Sequence, residues 1–300
     1  MIEKGSSSFA GAARLLPMRI RRDVYMLYAW CRYCDDQVDS QDLGQGAPSE
    51  SESGPRVLAH LEHMTRRAMA GEAIQDPVFV ALQRVVRTHD IPHRHPLELL
   101  QGFAMDVDGR RFPTLEDSLE YCYHVAGVVG LMMSMVMGTR EREALDRAVD
   151  LGIALQMTNI ARDVIDDAGC GRVYLPLTWL SEEGIAPEEI DHPRHRAALH
   201  RVVRRFLDEA DLYYRSAIQG LSWLSPRCAW AIATARGVYR EIGRVVLEQG
   251  ERAWDRRTVV GRPRKVVRST QAALEAAISV VLRPARRQTA VRDSRLWRRL

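Results

Sequence analysis

Tyr28-Ala29-Trp30-Cys31-Arg32-Tyr33-Cys34-Asp35-Asp36-Gln37-Val38-Asp39 begins with aromatic residues and ends among three aspartates. Wound as a helix, Tyr28, Arg32, Asp35 and Asp39 fall at offsets 0, 4, 7 and 11 and share one stripe. A second stretch repeats the design. In Gln156-Met157-Thr158-Asn159-Ile160-Ala161-Arg162-Asp163-Val164-Ile165-Asp166-Asp167, the residues Gln156, Asn159, Asp163 and Asp167 lie at 0, 3, 7 and 11. Carboxylates one turn apart repel and weaken an isolated helix. A single D-x-x-x-D reads as a solvated face with local salt bridges. Two of them, each with an arginine alongside and each within an otherwise apolar helix, read as faces arranged around cations.

Oxygen-only ligands select hard cations, and Mg²⁺ typically takes one or two carboxylates, with phosphate oxygens and water completing its shell. Two facing stripes therefore suit several Mg²⁺ ions around a diphosphate, with Arg32 and Arg162 as forked partners for its oxygens. A di-iron bundle would need Glu-x-x-His on facing helices. Here Glu120 stands four residues before His124, with no second copy, so that reading is set aside.

Outward from these stretches the pattern is helical throughout. Apolar residues recur at three- and four-residue spacing over Ala10–Arg32, Val57–His89, Leu97–Val107, Leu115–Met137, Glu141–Val164, His195–Leu221, Ala229–Gln249 and Thr270–Leu282. Runs with the period-two alternation of strands are absent. The breakers, Gln41–Pro55, Ala168–Pro176 and Gly261–Pro263 (read as ending a helix), are local. The expectation is an all-α chain with one domain over residues 1–283 and a basic tail over 284–300. From Arg283 onward that tail holds seven arginines plus Leu296 and Trp297, which reads as a solvated terminus or as a contact to anionic headgroups. Between the stripes, Val125–Gly138 is apolar but shorter than the ~20 residues of a membrane span. Its glycines 127, 130 and 138, each unfavourable in a helix by ~1 kcal/mol, indicate close helix packing or a kinked wall beside a long apolar ligand. His124 reads as a satisfied core or surface histidine rather than a base.

Composition narrows the class. The chain has 300 residues, 46% hydrophobic and 27% charged, so a large core is available and disorder is excluded as its main state. A net charge of +4 is too balanced to suggest nucleic-acid binding. The only lysines are Lys4 and Lys265, so the basic residues are nearly all arginine. Five cysteines at irregular spacing suit a reducing cytoplasm, and the Cys31/Cys34 pair lacks the second pair a zinc site would need. The N-terminus has no apolar signal core, so the expected location is cytoplasmic, with peripheral contact at the inner face of the membrane.

These stretches, together with Ser8-Phe9, Ala13-Arg14-Leu15-Leu16-Pro17, Gly102-Phe103-Ala104-Met105-Asp106, Tyr121-Cys122-Tyr123 before Val125-Ala126-Gly127, and Gly171-Arg172-Val173-Tyr174-Leu175-Pro176, resemble the squalene/phytoene synthase family. Within it they look most like the bacterial phytoene-forming members, from about Ser8 to about Arg257. The resemblance implies an isoprenoid-synthase helical bundle around a central apolar cavity. It also implies condensation of two geranylgeranyl diphosphates, through prephytoene diphosphate, to phytoene and two diphosphates. By position, Asp35, Asp39, Asn159, Asp163 and Asp167 would bind Mg²⁺ or Mn²⁺, with Asp36 beside them. Tyr28, Arg32 and Arg162 would attend the diphosphates, and Tyr121, Gln156, Tyr174 and Tyr239 would line the chamber. Arg257 would close over a diphosphate, and Ser8, Phe9, Ala126, Val129 and Gly130 would contact substrate. No NADPH is expected, and carotenoid-pathway enzymes are the implied partners. The sequence departs from the family pattern at Gly5-Ser6-Ser7-Ser8, where His and Lys are frequent, and at Ile165 and Asp166, none of which removes a D-x-x-x-D ligand. A C30 squalene or dehydrosqualene synthase using farnesyl diphosphate is the alternative. An elongating prenyltransferase would carry D-D-x-x-D twice, and a non-catalytic member would be expected to lose aspartates.

Overall fold

A computed structural model of the chain describes residues 11–39, 54–283 and 291–298, and among these every regular element is helical. Short 3-10 turns aside, in chain order they are α1 (Met18–Val38), α2 (Gly54–Ala70), α3 (Pro77–His89), α4 (Arg94–Val107), α5 (Leu115–Cys122), a π-helical turn (Tyr123–Gly127) and α6 (Val128–Val136). Then follow α7 (Arg142–Gly169), the short α8 (Leu177–Glu182), α9 (Arg196–Gly220), α10 (Pro226–Gln249) and α11 (Arg262–Val281).

Three departures from the periodicity have local causes. The run expected from Val57 to His89 splits at Gly71, whose φ is +80°, and restarts where Asp76 caps α3 by accepting from the Val78 N–H at 2.8 Å. Pro263 does not end a helix. It sits in the first turn of α11, where a missing N–H costs nothing, so that helix starts eight residues earlier than its apolar pattern suggests. Helix α8 is six residues long, too short for any period to show.

Helix α7 is the axle. It is touched by α6, α9, α10 and the π-turn, and its buried residues, among them Leu151, Ile153, Met157, Ile160 and Val164, lie on several sides rather than on one stripe. Gly152 brings it against the π-turn so closely that a Cβ there would lie 2.3 Å from the Ala126 carbonyl oxygen. Gly130 does the same from α6, where a Cβ would meet the Ala148 carbonyl oxygen at 2.4 Å. The glycines of this region therefore serve both readings, since they pack backbone on backbone beside a true irregularity. The π-turn is fixed from α4: Tyr123 donates its hydroxyl to the Glu98 carboxylate at 2.7 Å, and His124 Nδ1 donates to the Glu98 carbonyl at 2.8 Å. The apolar run is longer than Val125–Gly138 suggests. Leu115–Val136 has the length and hydropathy of a membrane span, but 72% of its most apolar window is buried inside the bundle.

The described part of the C-terminal tail is not a solvated terminus. Arg292 reaches the fully buried Asp150 of α7 at 2.6 Å, Leu296 is buried, and the Trp297 N–H donates to the Tyr213 hydroxyl at 3.0 Å. A buried carboxylate needs such a partner, and this one comes from the far end of the chain.

Gly152→Val should destabilise the protein by about 2 kcal/mol or more, because the added carbons meet backbone that cannot yield. Denaturant unfolding checks this, and an unchanged midpoint would contradict the close approach of α7 to the π-turn.

Candidate active site

The two aspartate stripes face one cavity of about 560 Å³. Helix α1 contributes Tyr28, Arg32 and Asp35, with its C-cap residue Asp39, and α7 contributes Gln156, Asn159, Arg162, Asp163 and Asp167. Tyr121, Tyr174, Tyr239 and Arg257 complete the predicted set on its walls. A second, largely apolar cavity of about 220 Å³ shares Tyr28, Val129, Gln156 and Tyr239 with the first and continues inward along Ala126, Gly130, Gly152, Ala217 and Ala235. Small residues on α6, α7, α9 and α10 thus open a slot behind a polar mouth.

One predicted residue is placed differently. Asp36 does not line the cavity: it is buried on another side of α1, with its carboxylate 2.8 Å from the Arg32 guanidinium. Its role in this geometry is to anchor Arg32. Ser8 and Phe9 lie outside the described residues, as do residues 40–53 of the Gln41–Pro55 loop. His124 lines neither cavity. Cys31 touches the first cavity and Cys34 is buried; all five cysteines are free thiols, and burial pushes both of these well above the ordinary thiol value.

Sequence reasoning missed two residues. Asp106, from the end of α4, accepts hydrogen bonds from Tyr174 at 2.8 Å and Tyr121 at 3.0 Å, and those two rings stack with centroids 4.5 Å apart. Burial, and each ring's neighbours, push both phenols well above the ordinary value of 10, so they remain neutral donors. Arg172, beyond α7, lies 2.7 Å from Asp39 and ties the two stripes together. Burial works against the Arg172 charge, but the Asp39 bond and nearby groups outweigh it and push its value upward. Both stand in stretches that carry the family resemblance, but neither has a partner at helical spacing to mark it as part of the site, and only the fold brings them to the cavity.

Electrostatics is the dominant property of this mouth. Burial and the neighbouring Asp163 push Asp167 up to about 8, against the pull of Arg172. Burial pushes Asp106 up to about 6, with Arg172 and the two tyrosine bonds opposing. Asp35 is pushed up to about 7 by burial, opposed by Arg32 and reinforced by Asp39, although 36% of its side chain stays exposed to water that favours the ionised form. Arginines hold the cluster together meanwhile. Arg162 forks onto Asp163, with its Nε at 2.7 Å from Oδ1; Arg257 reaches the same carboxylate at 3.3 Å, and Arg32 reaches Asp35 at 2.8 Å.

The donor set fits a divalent cation. Asn159 Oδ1 is buried with no hydrogen-bond partner, an acceptor on the Asp163 face whose cost a cation would remove. Among the described residues no three carboxylate, histidine or cysteine groups converge tightly enough to hold an ion by themselves. That arrangement suits Mg²⁺-like ions, which take few protein ligands and fill their shell with phosphate and water.

The squalene/phytoene synthase family profile matches residues 2–264. The chain is 48% identical over 299 residues to the 15-cis-phytoene synthase of Enterobacter agglomerans, covering 99% of each. It is 51% identical over 297 residues to the phytoene synthase of Pseudescherichia vulneris, covering 98% of this chain and 94% of that one. Among solved structures, a dehydrosqualene synthase with a bound ligand superposes with a TM-score of 0.83 at 29% identity, covering 92% of this chain and 94% of the other.

Carboxylates held above their ordinary 3.8 bind protons in the folded state that the unfolded chain has already released. From about pH 4 to about pH 8 the folded state is therefore the more protonated, and stability falls as pH rises. Without divalent cations, melting temperature should drop between about pH 5.5 and about pH 8, and a millimolar divalent cation should raise it more at the higher pH, because cation and proton compete. An equal gain at both pH values would contradict this cluster as the cation site.

Proposed function

The chain belongs to the squalene/phytoene synthase family, and we infer that it condenses two geranylgeranyl diphosphates head to head into phytoene, releasing two diphosphates. One observation carries the reading: paired aspartate stripes on α1 and α7 face a single polar mouth that opens inward onto an apolar slot. A mouth of that charge holds diphosphates and their cations, and a slot of that lining holds prenyl chains.

Asp35, Asp39, Asn159, Asp163 and Asp167 would hold divalent ions, Mg²⁺ or Mn²⁺, whose contribution when bound is to neutralise the departing diphosphate. Arg32, Arg162, Arg172 and Arg257 are the chain's own phosphate ligands. Each now rests on an aspartate and would exchange it for a diphosphate oxygen, so the cluster is already charge-balanced before substrate enters. Ionisation of the first substrate gives an allylic cation that alkylates the double bond of the second; the tertiary cation so formed loses a proton as the cyclopropane closes, giving prephytoene diphosphate. Its ionisation gives a cyclopropylcarbinyl cation that rearranges and loses a proton. The rings of Tyr28 and Tyr239 stand where polar mouth meets apolar slot, with Tyr121 and Tyr174 on the wall of the mouth, and π faces so placed stabilise cations. Burial pushes the Tyr28 phenol up to about 12, so it enters the reaction neutral. The apolar walls, Val125, Ala126, Val129 and Gly130 among them, exclude the water that would trap a carbocation. With His124 committed to the Glu98 carbonyl, the released diphosphate is the proposed proton acceptor. No step consumes a reductant. Phytoene-consuming enzymes of the carotenoid pathway are the proposed partners, and the cytoplasm the proposed location.

The C30 reading has the dehydrosqualene synthase likeness in its favour, but at 29% identity against 48–51% for the phytoene synthases. Purified protein given geranylgeranyl diphosphate and Mg²⁺, without NADPH, should yield a C40 hydrocarbon by mass; turnover of farnesyl diphosphate alone would move the protein to the C30 class. Asp35→Asn and Asp163→Asn should each lower turnover roughly a thousandfold, as expected when stabilisation of a developing charge is lost. The melting temperature of Asp35→Asn should hold or rise, since that change relieves repulsion from Asp39. EDTA should stop the reaction and Mg²⁺ or Mn²⁺ restore it.

A further inference from the structure

A buried arginine stands in the wall of the apolar slot. Arg147, only 3% exposed, lines it together with Ala144 and Leu221. Burying such a charge is costly unless it is paired and hydrogen-bonded. Here its Nη1 donates to the Ser216 hydroxyl on α9 at 2.6 Å, Ser216 in turn donates to Asp150, and Asp150 lies 3.9 Å from the same guanidinium. Arg292 of the C-terminal segment forks onto that carboxylate, with Nη2 2.6 Å from Oδ1. The same segment lays the Trp297 ring 5.1 Å from that of Tyr123, in the π-turn that carries Ala126 of the slot. Two side chains, Asp150 and Ser216, thus connect the end of the chain to Arg147.

The slot runs along α7, so the helix measures its depth. Asn159, Leu155, Gly152, Ala148, Arg147 and Ala144 line it, the last five at offsets of 4, 7, 11, 12 and 15 from the first, which is one continuous stripe. The π-turn and α6 run antiparallel beside that stripe, with Ala126 against Gly152 and Gly130 against Ala148. Asn159 borders both mouth and slot, so a prenyl chain whose diphosphate rests at the aspartates begins near its level. At about 1.5 Å per residue, Arg147 lies about 18 Å below Asn159 and Ala144 about 22 Å. An extended isoprene unit spans about 5 Å, the reach of four carbon–carbon bonds of about 1.5 Å, so three units extend about 15 Å and four about 20 Å. A farnesyl chain would stop short of Arg147. The fourth unit of a geranylgeranyl chain would lie beside it.

We propose that Arg147 is the specificity-determining residue at the end of the prenyl chain, the floor on which the fourth isoprene unit rests, and that Arg292 is a positioning residue that holds it there by way of Asp150. The inference deepens the geranylgeranyl reading above and rests on it. With Arg292 in place the Asp150 charge is matched, and Arg147 stays in the slot wall with its Nη1 on Ser216. Without Arg292 the buried carboxylate is left to Ser216 and Arg147, and an uncompensated buried charge is strongly unfavourable. The guanidinium is then drawn off the floor toward Asp150, and the slot deepens. The same bonds reject a fifth isoprene unit, which would have to displace a hydrogen-bonded guanidinium and leave it against hydrocarbon.

The test uses the full chain and calorimetric binding, with Mg²⁺, of unreactive thiolodiphosphate analogues carrying farnesyl, geranylgeranyl or geranylfarnesyl chains. The wild type should bind the C20 analogue at least tenfold more tightly than either the C15 or the C25 analogue. Arg292→Gln should bind the C25 analogue at least tenfold more tightly than wild type does, with C20 binding within threefold, and Arg292→Lys should restore the wild-type order. Ala144→Leu fills the slot beyond Arg147 without touching the tail; it should weaken C20 binding at least tenfold and leave C15 within threefold. Should Arg292→Gln fail to fold, Ser216→Ala releases the same guanidinium and should give the same C25 gain. A wild type that binds C15 or C25 as tightly as C20 overturns the floor, and so does an Ala144→Leu variant that weakens C15 and C20 alike. A folded Arg292→Gln, or in its place Ser216→Ala, that keeps the wild-type order overturns the part played by the tail. C20-selective binding without any C40 product would sink the reaction reading and leave the floor standing.

Discussion

Asp35, Asp39, Asp106, Asp163 and Asp167 share one cavity, and their mutual repulsion sets the terms for everything around them. Carboxylates brought together away from water either take up protons or acquire positive partners. This protein does both. Asp167, Asp106 and Asp35 are pushed upward, while Arg32, Arg162, Arg172 and Arg257 lie against the cluster. A charge-balanced but mutually repelling mouth is ready to exchange protons and arginines for cations and diphosphate. Its stability cost and its function have the same origin.

The helices meet the mechanical demand that follows. Charges can be held close only on rigid supports, and α7 is rigid because it is packed on several sides and drawn by Gly152 and Gly130 against the π-turn and α6. The same glycines, with Ala126, Ala217 and Ala235, leave the apolar slot open. At the far end of α7 the buried Asp150 is neutralised by Arg292 from the C-terminal segment. One helix thus carries an acidic face at its C-terminal end for chemistry and an acidic anchor at its N-terminal end for assembly.

Much of this was legible in the sequence because it is written at helical spacing. The offsets 0, 4, 7, 11 in α1 and 0, 3, 7, 11 in α7 needed only the 3.6-residue turn to become two acidic faces, and apolar periodicity alone implied the all-α class. The residues that escaped notice have no such period. Asp106 and Arg172 act through partners 68 and 133 positions away, Tyr174 and Asp39 respectively. Asp36 stands off the stripe and was placed beside the ligands only by the resemblance; the packed bundle buries it against Arg32, off the cavity wall.

Local pattern read through helix geometry therefore carried the all-α class, most of the helices, the two aspartate stripes and the chemistry such stripes serve. Tertiary structure alone decided that the stripes face one another, that Tyr121 and Tyr174 meet on Asp106, and that Arg172 bridges to Asp39. It also decided that the tail folds back onto Asp150. The physical reason is common to all of these. A helix's own period says which residues share a face, whereas the direction of that face depends on packing against elements far away in the chain.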